Sequence, residues 1–170
     1  MDASLHISRA TPADAGIISR IIERSIRVGC AIDHRNHPLV VEAWVRRNNL
    51  EQVQTWLSDP LFYLNLVQLQ DKPIGVAMAT VQGRVAFCYV QPEWFRRGAG
   101  RALVQDLETW LATRGFSHID LDSTRTSEAF FQRLGYGHGA APFTASGLTV
   151  IPMDRQLASP SWKADRGAKS

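Results

Sequence analysis

The stretch from Val85 to Leu111 constrains this chain more than any other. An apolar run, Val85-Ala86-Phe87-Cys88-Tyr89-Val90, ends at Gln91-Pro92-Glu93-Trp94 and enters a basic turn, Phe95-Arg96-Arg97-Gly98-Ala99-Gly100-Arg101. The turn opens directly into a segment with Leu103, Val104, Leu107, Trp110 and Leu111 on one helical face. Gly98 and Gly100 carry no Cβ, so the backbone can approach a ligand closely. The first turn of the following helix offers N–H groups without helical partners, together with a partial positive charge. With Arg96, Arg97 and Arg101 around it, this is an anion cradle suited to a phosphate or pyrophosphate. The plainer reading is a turn before a surface helix. The order of strand, Pro, aromatic, Arg-Arg-Gly-Ala-Gly-Arg-Ala-Leu and helix favours the cradle.

The rest of the chain supplies a core for that unit to sit on. With 170 residues and 45% hydrophobic residues, one domain is expected. A net charge of +3 is too weak a bias to argue for nucleic acid, so the arginine cluster is assigned to a small anionic ligand. Cys30 and Cys88 are far apart and lack metal-ligand spacing, which points to reduced thiols rather than a disulfide or a metal site. No apolar run is long enough to span a bilayer and the N-terminus has no signal pattern, so a soluble cytoplasmic protein is expected.

Taken in order, Leu5 to Arg9 alternates as a first strand, and Thr11-Pro12-Ala13-Asp14 reads as a helix start. Ile17, Ile18, Ile21, Ile22 and Ile26 place one apolar face on a helix running to about Val28. Gly29 to His37 is a polar break, followed by helices from Pro38 and from Leu50 to Asp59-Pro60. Leu61 to Gln70, Ile74 to Thr80 and Val85 to Val90 then form an antiparallel meander through short turns. The helix after the glycine turn leads to a strand around His118 to Asp122, which the intervening helix makes parallel to the third meander strand. Thr124 is placed to cap a short helix ending at Gly135, and a last strand pair is expected around Gly137 to Ala141 and Leu148 to Leu157. Residues 158–170 are polar and expected to be a loose tail, with Trp162 its one large apolar residue.

Val90-x-Pro92 with Arg96-Arg97-Gly98-Ala99-Gly100-Arg101-Ala102-Leu103 resembles the acetyl-CoA-binding motif of the GNAT superfamily of N-acyltransferases, of the form Gln/Arg-x-x-Gly-x-Gly/Ala. Phe95 stands where that motif prefers Gln or Arg, a position used largely through its backbone. Ser127 to Tyr136 resembles the second motif, which usually ends Tyr-Glu-Lys/Arg-Leu-Gly-Phe, and Met153-Asp154-Arg155-Gln156-Leu157 is similar to the closing Met-x-Lys/Arg-x-Leu. The resemblance covers roughly Leu5 to Leu157. It implies a GNAT fold of mixed α/β type: an antiparallel meander, then a parallel splayed strand pair holding acyl-CoA, flanked by helices. Residues 1–157 would be the acyltransferase domain.

Carried over by position, the resemblance implies acetyl-CoA as co-substrate. Backbone groups of Cys88, Tyr89 and Val90 would hold the pantetheine, and N–H groups from Phe95, Arg96, Arg97, Gly98, Ala99, Gly100 and Arg101 the pyrophosphate. Thr124 and Phe131 would lie beside the cofactor. The implied reaction is direct attack of an amine on the thioester, with the N–H of Val90 polarising its carbonyl. The family's proton-donating Tyr is Phe131 here, and the strand before the loop has no Glu. Asp122 and His34 are the candidate bases, and Tyr136 is the alternative proton donor. Each has a plainer reading: a turn cap, a loop histidine and a structural aromatic. His34 and His37 fall in the region that would shape the acceptor site. The acceptor is an unidentified amine, and a homodimer is an open expectation.

Two other readings compete. A GNAT-fold protein that binds acyl-CoA or a partner without catalysis is favoured by the missing Tyr and Glu. A nucleotide-binding module is opposed by the absence of Gly-Lys-Ser/Thr after the loop and by the loop's position after several antiparallel strands.

Overall fold

The computed structural model describes residues 4–158, so the expected tail beyond Ala158, with Trp162, lies outside the described residues. Eight strands form a mixed sheet: β1 (Leu5–Arg9), β2 (Phe62–Leu69), β3 (Lys72–Thr80), β4 (Arg84–Val90), β5 (His118–Ser123), β6 (Gly137–His138), β7 (Phe143–Ala145) and β8 (Leu148–Gln156). Their order is β1-β2-β3-β4-β5-β8-β6, with β7 paired to β8. The β1 to β4 pairings are antiparallel, and β4 runs parallel to β5.

Two cores lie on opposite faces of this sheet. On one, α5 (Ala99–Thr113) and α6 (Glu128–Arg133) cover Val67, Ile74, Val85, Ile119 and Met153. On the other, α1 (Ala15–Arg24), α3 (Pro38–Arg47) and α4 (Leu50–Ser58) cover Leu64, Leu66, Val76 and Met78. Ile18, Ile21, Ile22 and Ile26 are at most 1% exposed, as their spacing predicts. Each such aliphatic contributes about 1.5–3 kcal/mol by leaving water.

The first helix departs from the expected single run to Val28. A 3-10 turn (Pro12–Asp14) precedes α1, its entry fixed by the Thr11 N–H donating to Asp14 Oδ2 at 2.8 Å. After Arg24 the backbone widens into a π turn, Ser25–Gly29. The polar break that follows holds a short helix, α2 (Ala31–His34), which stops where Arg35 and Asn36 take left-handed φ of 50° and 56°. The expected strand at Gly137–Ala141 shortens to Gly137–His138, because Phe143–Ala145 takes over the pairing with the start of β8.

One irregularity positions the site. β4 and β5 pair only at Arg84–Asp120 and Val85–Leu121. Between β3 and β4 the register slips, so that Ala79 faces Val85 while Met78 faces Phe87. Ala86 is thus an extra residue, a bulge that bends its strand and reverses the alternation beyond it. Val85 packs into the α5 core, and Phe87 and Tyr89 join the α1 core. From Ala86 onward β4 leaves β5, and a gap opens between them. At the closed end Arg84 binds Asp120 at 3.2 Å and Asp122 at 3.0 Å.

Candidate functional site

The gap leads into a cavity of about 810 Å³. Its walls are β4 from Val85 to Val90, the loop from Trp94 to Arg101, the start of the turn after β5, and Phe130 and Phe131 of α6. On the far side they are Ser25, Gly29, Cys30 and Trp44. The cavity therefore has a loop side and a helix side.

On the loop side the first helical bond of α5 runs from the Ala102 N–H to Gly98 O at 3.0 Å. The N–H groups of Ala99, Gly100 and Arg101 precede it, as at any helix start, and have no carbonyl one turn back. Gly98 takes φ 82°, a left-handed conformation that a β-carbon disfavours, and Arg96 takes φ 63°. These left-handed residues fold the loop into a concave run of amides, the shape that binds anions. The loop is tied down from outside. The Arg24 guanidinium of α1 pairs with the Glu93 carboxylate and donates to Gln91 Oε1 at 3.1 Å. Arg97 and Lys72 each place their charge 5.5 Å from the Trp94 ring centre.

Gly100 is required for a different reason from the one its sequence position suggests. A Cβ there would lie 2.9 Å from Phe130 Cζ, so the missing side chain admits the phenylalanine that walls the cavity. Substitution would displace Phe130 as well as crowd the cradle.

The exposed edge of β4 faces the gap. The Gln91 N–H is bonded to Ile74 O of β3 at 2.9 Å. Strand alternation therefore turns the N–H and C=O of Cys88 and Val90 toward the gap and those of Tyr89 toward β3. Tyr89 meets the cavity with its side chain instead. The Cys88 thiol points to α5, 4.0 Å from Gly100 O, and burial pushes it up to about 12, so it stays protonated. Thr124 lines the cavity with its hydroxyl 3.1 Å from that of Ser127. Ser127, not Thr124, stands at the N-cap of α6, because the helix begins only at Glu128. Phe131 lines the cavity and is 5% exposed.

The candidate bases are placed differently from one another. Asp122 reaches the cavity, but its Oδ2 faces the Arg84 guanidinium. His34 is 2% exposed, and neither it nor His37 lines the cavity. Nδ1 of His34 accepts the Asn36 N–H at 2.9 Å, which leaves Nε2 to carry the proton and donate to Ile26 O at 2.8 Å. Both nitrogens are thus spent on the π turn and the loop after α2. Tyr136 is buried under α5 and donates to Glu108 Oε2 at 3.0 Å, and Arg155 binds the same oxygen at 2.7 Å. Its hydroxyl lies outside the cavity wall.

A sequence model of the acetyltransferase (GNAT) domain matches residues 30–157. The chain belongs to the GNAT acetyltransferase family. An uncharacterized protein of Bacillus subtilis (strain 168), YyaT, is 25% identical over 96 residues, which are 54% of this chain and 64% of that protein. Solved structures share the fold. A GCN5-related N-acetyltransferase of Rhodopseudomonas palustris aligns with TM-score 0.81 and 24% identity, over 92% of this chain and 99% of that one. PaiA N-acetyltransferase of Thermoplasma acidophilum, in complex with coenzyme A, aligns with TM-score 0.76 and 14% identity, over 91% and 99%. The ribosomal-protein-S18-alanine N-acetyltransferase of Escherichia coli aligns at 0.62 and 18%, over 93% and 97%.

In this GNAT chain, sequence reasoning expected the region from Gly29 to Pro60 to shape the acceptor side but did not single out Ser25, Cys30 or the Tyr89 side chain. Ser25, Cys30, Trp44 and Tyr89 reach the cavity from three separate stretches. One signal was available. Ser25 falls on the same helical stripe as Ile18, Ile21 and Ile22, and a hydroxyl at a core position calls for a partner. Asp33 was missed as well. Its carboxylate accepts the Arg125 N–H at 2.8 Å, the Thr126 N–H at 3.3 Å and the Thr126 hydroxyl, tying α2 to the turn after β5.

Proposed function

We propose that this protein is an N-acetyltransferase that moves the acetyl group of acetyl-CoA to a primary amine of a small molecule or peptide by direct attack. The observation that carries this reading is the parting of β4 and β5 at the Ala86 bulge, which opens into the same cavity that the Gly98–Arg101 loop lines. An extended amide arm has an unpaired strand edge to bond along, and a pyrophosphate has the loop amides and Arg96 and Arg101 to meet. The residues present fit that ligand: Gly98 opens the loop, and Gly100 lets Phe130 wall the arm's path.

When bound, acetyl-CoA would supply an activated acyl carbon and a thiolate leaving group. The Val90 N–H, facing the gap, would stabilise negative charge on the acyl oxygen. Phe130 and Phe131 would keep water from the thioester. His34 is assigned a structural role, locking the π turn against the loop after α2, because neither of its nitrogens is free. Asp122 remains the one carboxylate on the cavity wall among the described residues, held by Arg84.

Phe131 at the position of the family's Tyr favours a second reading, acyl-CoA binding without catalysis. Calorimetric titration with acetyl-CoA, against ATP and NAD as controls, followed by an amine screen for thiol release, separates the two. Micromolar acetyl-CoA binding with thiol release supports transfer. Binding without release from any amine supports the second reading, and no binding removes both.

A further inference from the structure

On the helix side of the cavity two lining residues, Ser25 and Tyr89, carry hydroxyls without full partners among the described residues. Ser25 is 3% exposed and lines the cavity, and its Oγ has no hydrogen-bond partner among the described residues. It opens the π turn, where the hydroxyl does not bond back to the preceding helical turn. Burying a hydroxyl unpaired costs about 1–3 kcal/mol, a cost that a bound polar group would remove. Tyr89 Oη accepts the Trp44 Nε1–H at 3.1 Å and donates to none of the described residues. Around these two hydroxyls the wall is apolar and aromatic: Trp44, Phe87 and Cys30, with Gly29 beneath the Phe95 ring.

The charges are as informative. Among the described residues the cavity's cations are Arg96, Arg101 and Arg133, and its one carboxylate, Asp122, is already paired with Arg84. Nothing here counters an ammonium group on the acceptor. Nothing here is free to strip a proton from one either, since His34 is committed to backbone groups. An aliphatic amine, with a side-chain pKa of about 10.4 for lysine, arrives almost wholly protonated at neutral pH. An aromatic amine arrives neutral, its lone pair already available.

We propose that the helix side is an acceptor subsite for a neutral aromatic amine carrying one polar substituent, anchored by the Ser25 and Tyr89 hydroxyls between Trp44 and Phe87. The inference rests on the acetyl-transfer reading above. The amine nitrogen forms the new bond to the acyl carbon, the C–S bond breaks, and the nitrogen's proton leaves with the CoA thiol as the only other product. The enzyme then supplies position and oxyanion stabilisation rather than a strong base.

The test is steady-state thiol release with acetyl-CoA and 4-methoxyaniline, set against spermidine and lysine amide, together with acetyl-CoA calorimetry and thermal melting of each variant. The expected result is preferred turnover of 4-methoxyaniline, with kcat/KM flat between about pH 6 and 9 because no group must lose a proton before the attack. Ser25→Ala should raise the KM for 4-methoxyaniline about 5- to 30-fold while leaving acetyl-CoA affinity unchanged. It should also keep or raise the melting temperature, since an unpaired buried hydroxyl is removed. Tyr89→Phe should raise the same KM. Preference for spermidine or lysine amide overturns the proposal. So does a Ser25→Ala variant with unchanged acceptor KM and a lowered melting temperature, the signature of a hydroxyl serving the fold alone. Acetyl-CoA binding with transfer only to other amines, or with no transfer at all, sinks the aromatic-amine assignment. Absence of acetyl-CoA binding sinks the acetyl-transfer reading with it.

Discussion

The loop side of the cavity draws its candidate amide donors from one continuous stretch, Val85–Arg101. The helix side draws Ser25, Cys30, Trp44 and Tyr89 from a π turn, the residue after it, a helix and a strand, and it presents side chains. Backbone recognition tolerates sequence change as long as the chain geometry survives, so the loop's amides do not depend on the side chain at Phe95. Side-chain recognition does not, and single substitutions there should redirect the enzyme without unfolding it. The Asp33 carboxylate joins the two sides by holding α2 against the Arg125–Thr126 turn.

The contrast can be broken first at Gly100. Gly100→Leu forces a side chain into the Phe130 ring, 2.9 Å from the new Cβ. Acetyl-CoA affinity should fall about 10- to 100-fold from overpacking alone, with helix content retained by circular dichroism. Unchanged affinity would mean that the loop side is not the cradle.

Asp33→Asn tests the tie between the sides. It removes the charge that accepts two N–H groups and a hydroxyl, and the acceptor KM should rise about tenfold with little change in acetyl-CoA affinity. A loss confined to acetyl-CoA binding would show that Asp33 serves the loop side instead.

The smallest effect is expected from pH. Cys30 and Cys88, one on each side, are both pushed from 9.0 up to about 12, chiefly by burial. The unfolded chain releases these protons first as pH rises, so stability is fully present below about 9 and is lost progressively toward about 12. Melting temperature should decline by a few degrees between pH 8 and pH 11, and Cys30→Ala should flatten part of that decline. A flat profile for the native chain would place the thiols in contact with water.

The loop side was legible because its signals are local. Gly98, Gly100, the arginines and the apolar helix face sit within a few turns of chain, and a helix start offers free N–H groups whatever surrounds it. The alternating and helical periodicities likewise placed β1 to β5 and the apolar face of α5. The membership of the helix side was not legible, since no short-range pattern brings Ser25 and Tyr89, 64 positions apart, to one cavity. His34 shows the same limit. As a sequence it is a titratable loop residue, and in the fold it is a buried cross-brace with both nitrogens spent.

By itself the sequence determined the order of the main elements, the apolar faces and the glycine loop. Only the tertiary structure decided where β4 leaves β5, because a bulge depends on register with a neighbour. The slip between Met78 and Ala79 makes Ala86 the odd residue, and that one residue turns Tyr89 toward Trp44 while leaving Val90 facing the gap. Which side chains share a cavity follows from that turn of the strand, and packing sets it rather than propensity.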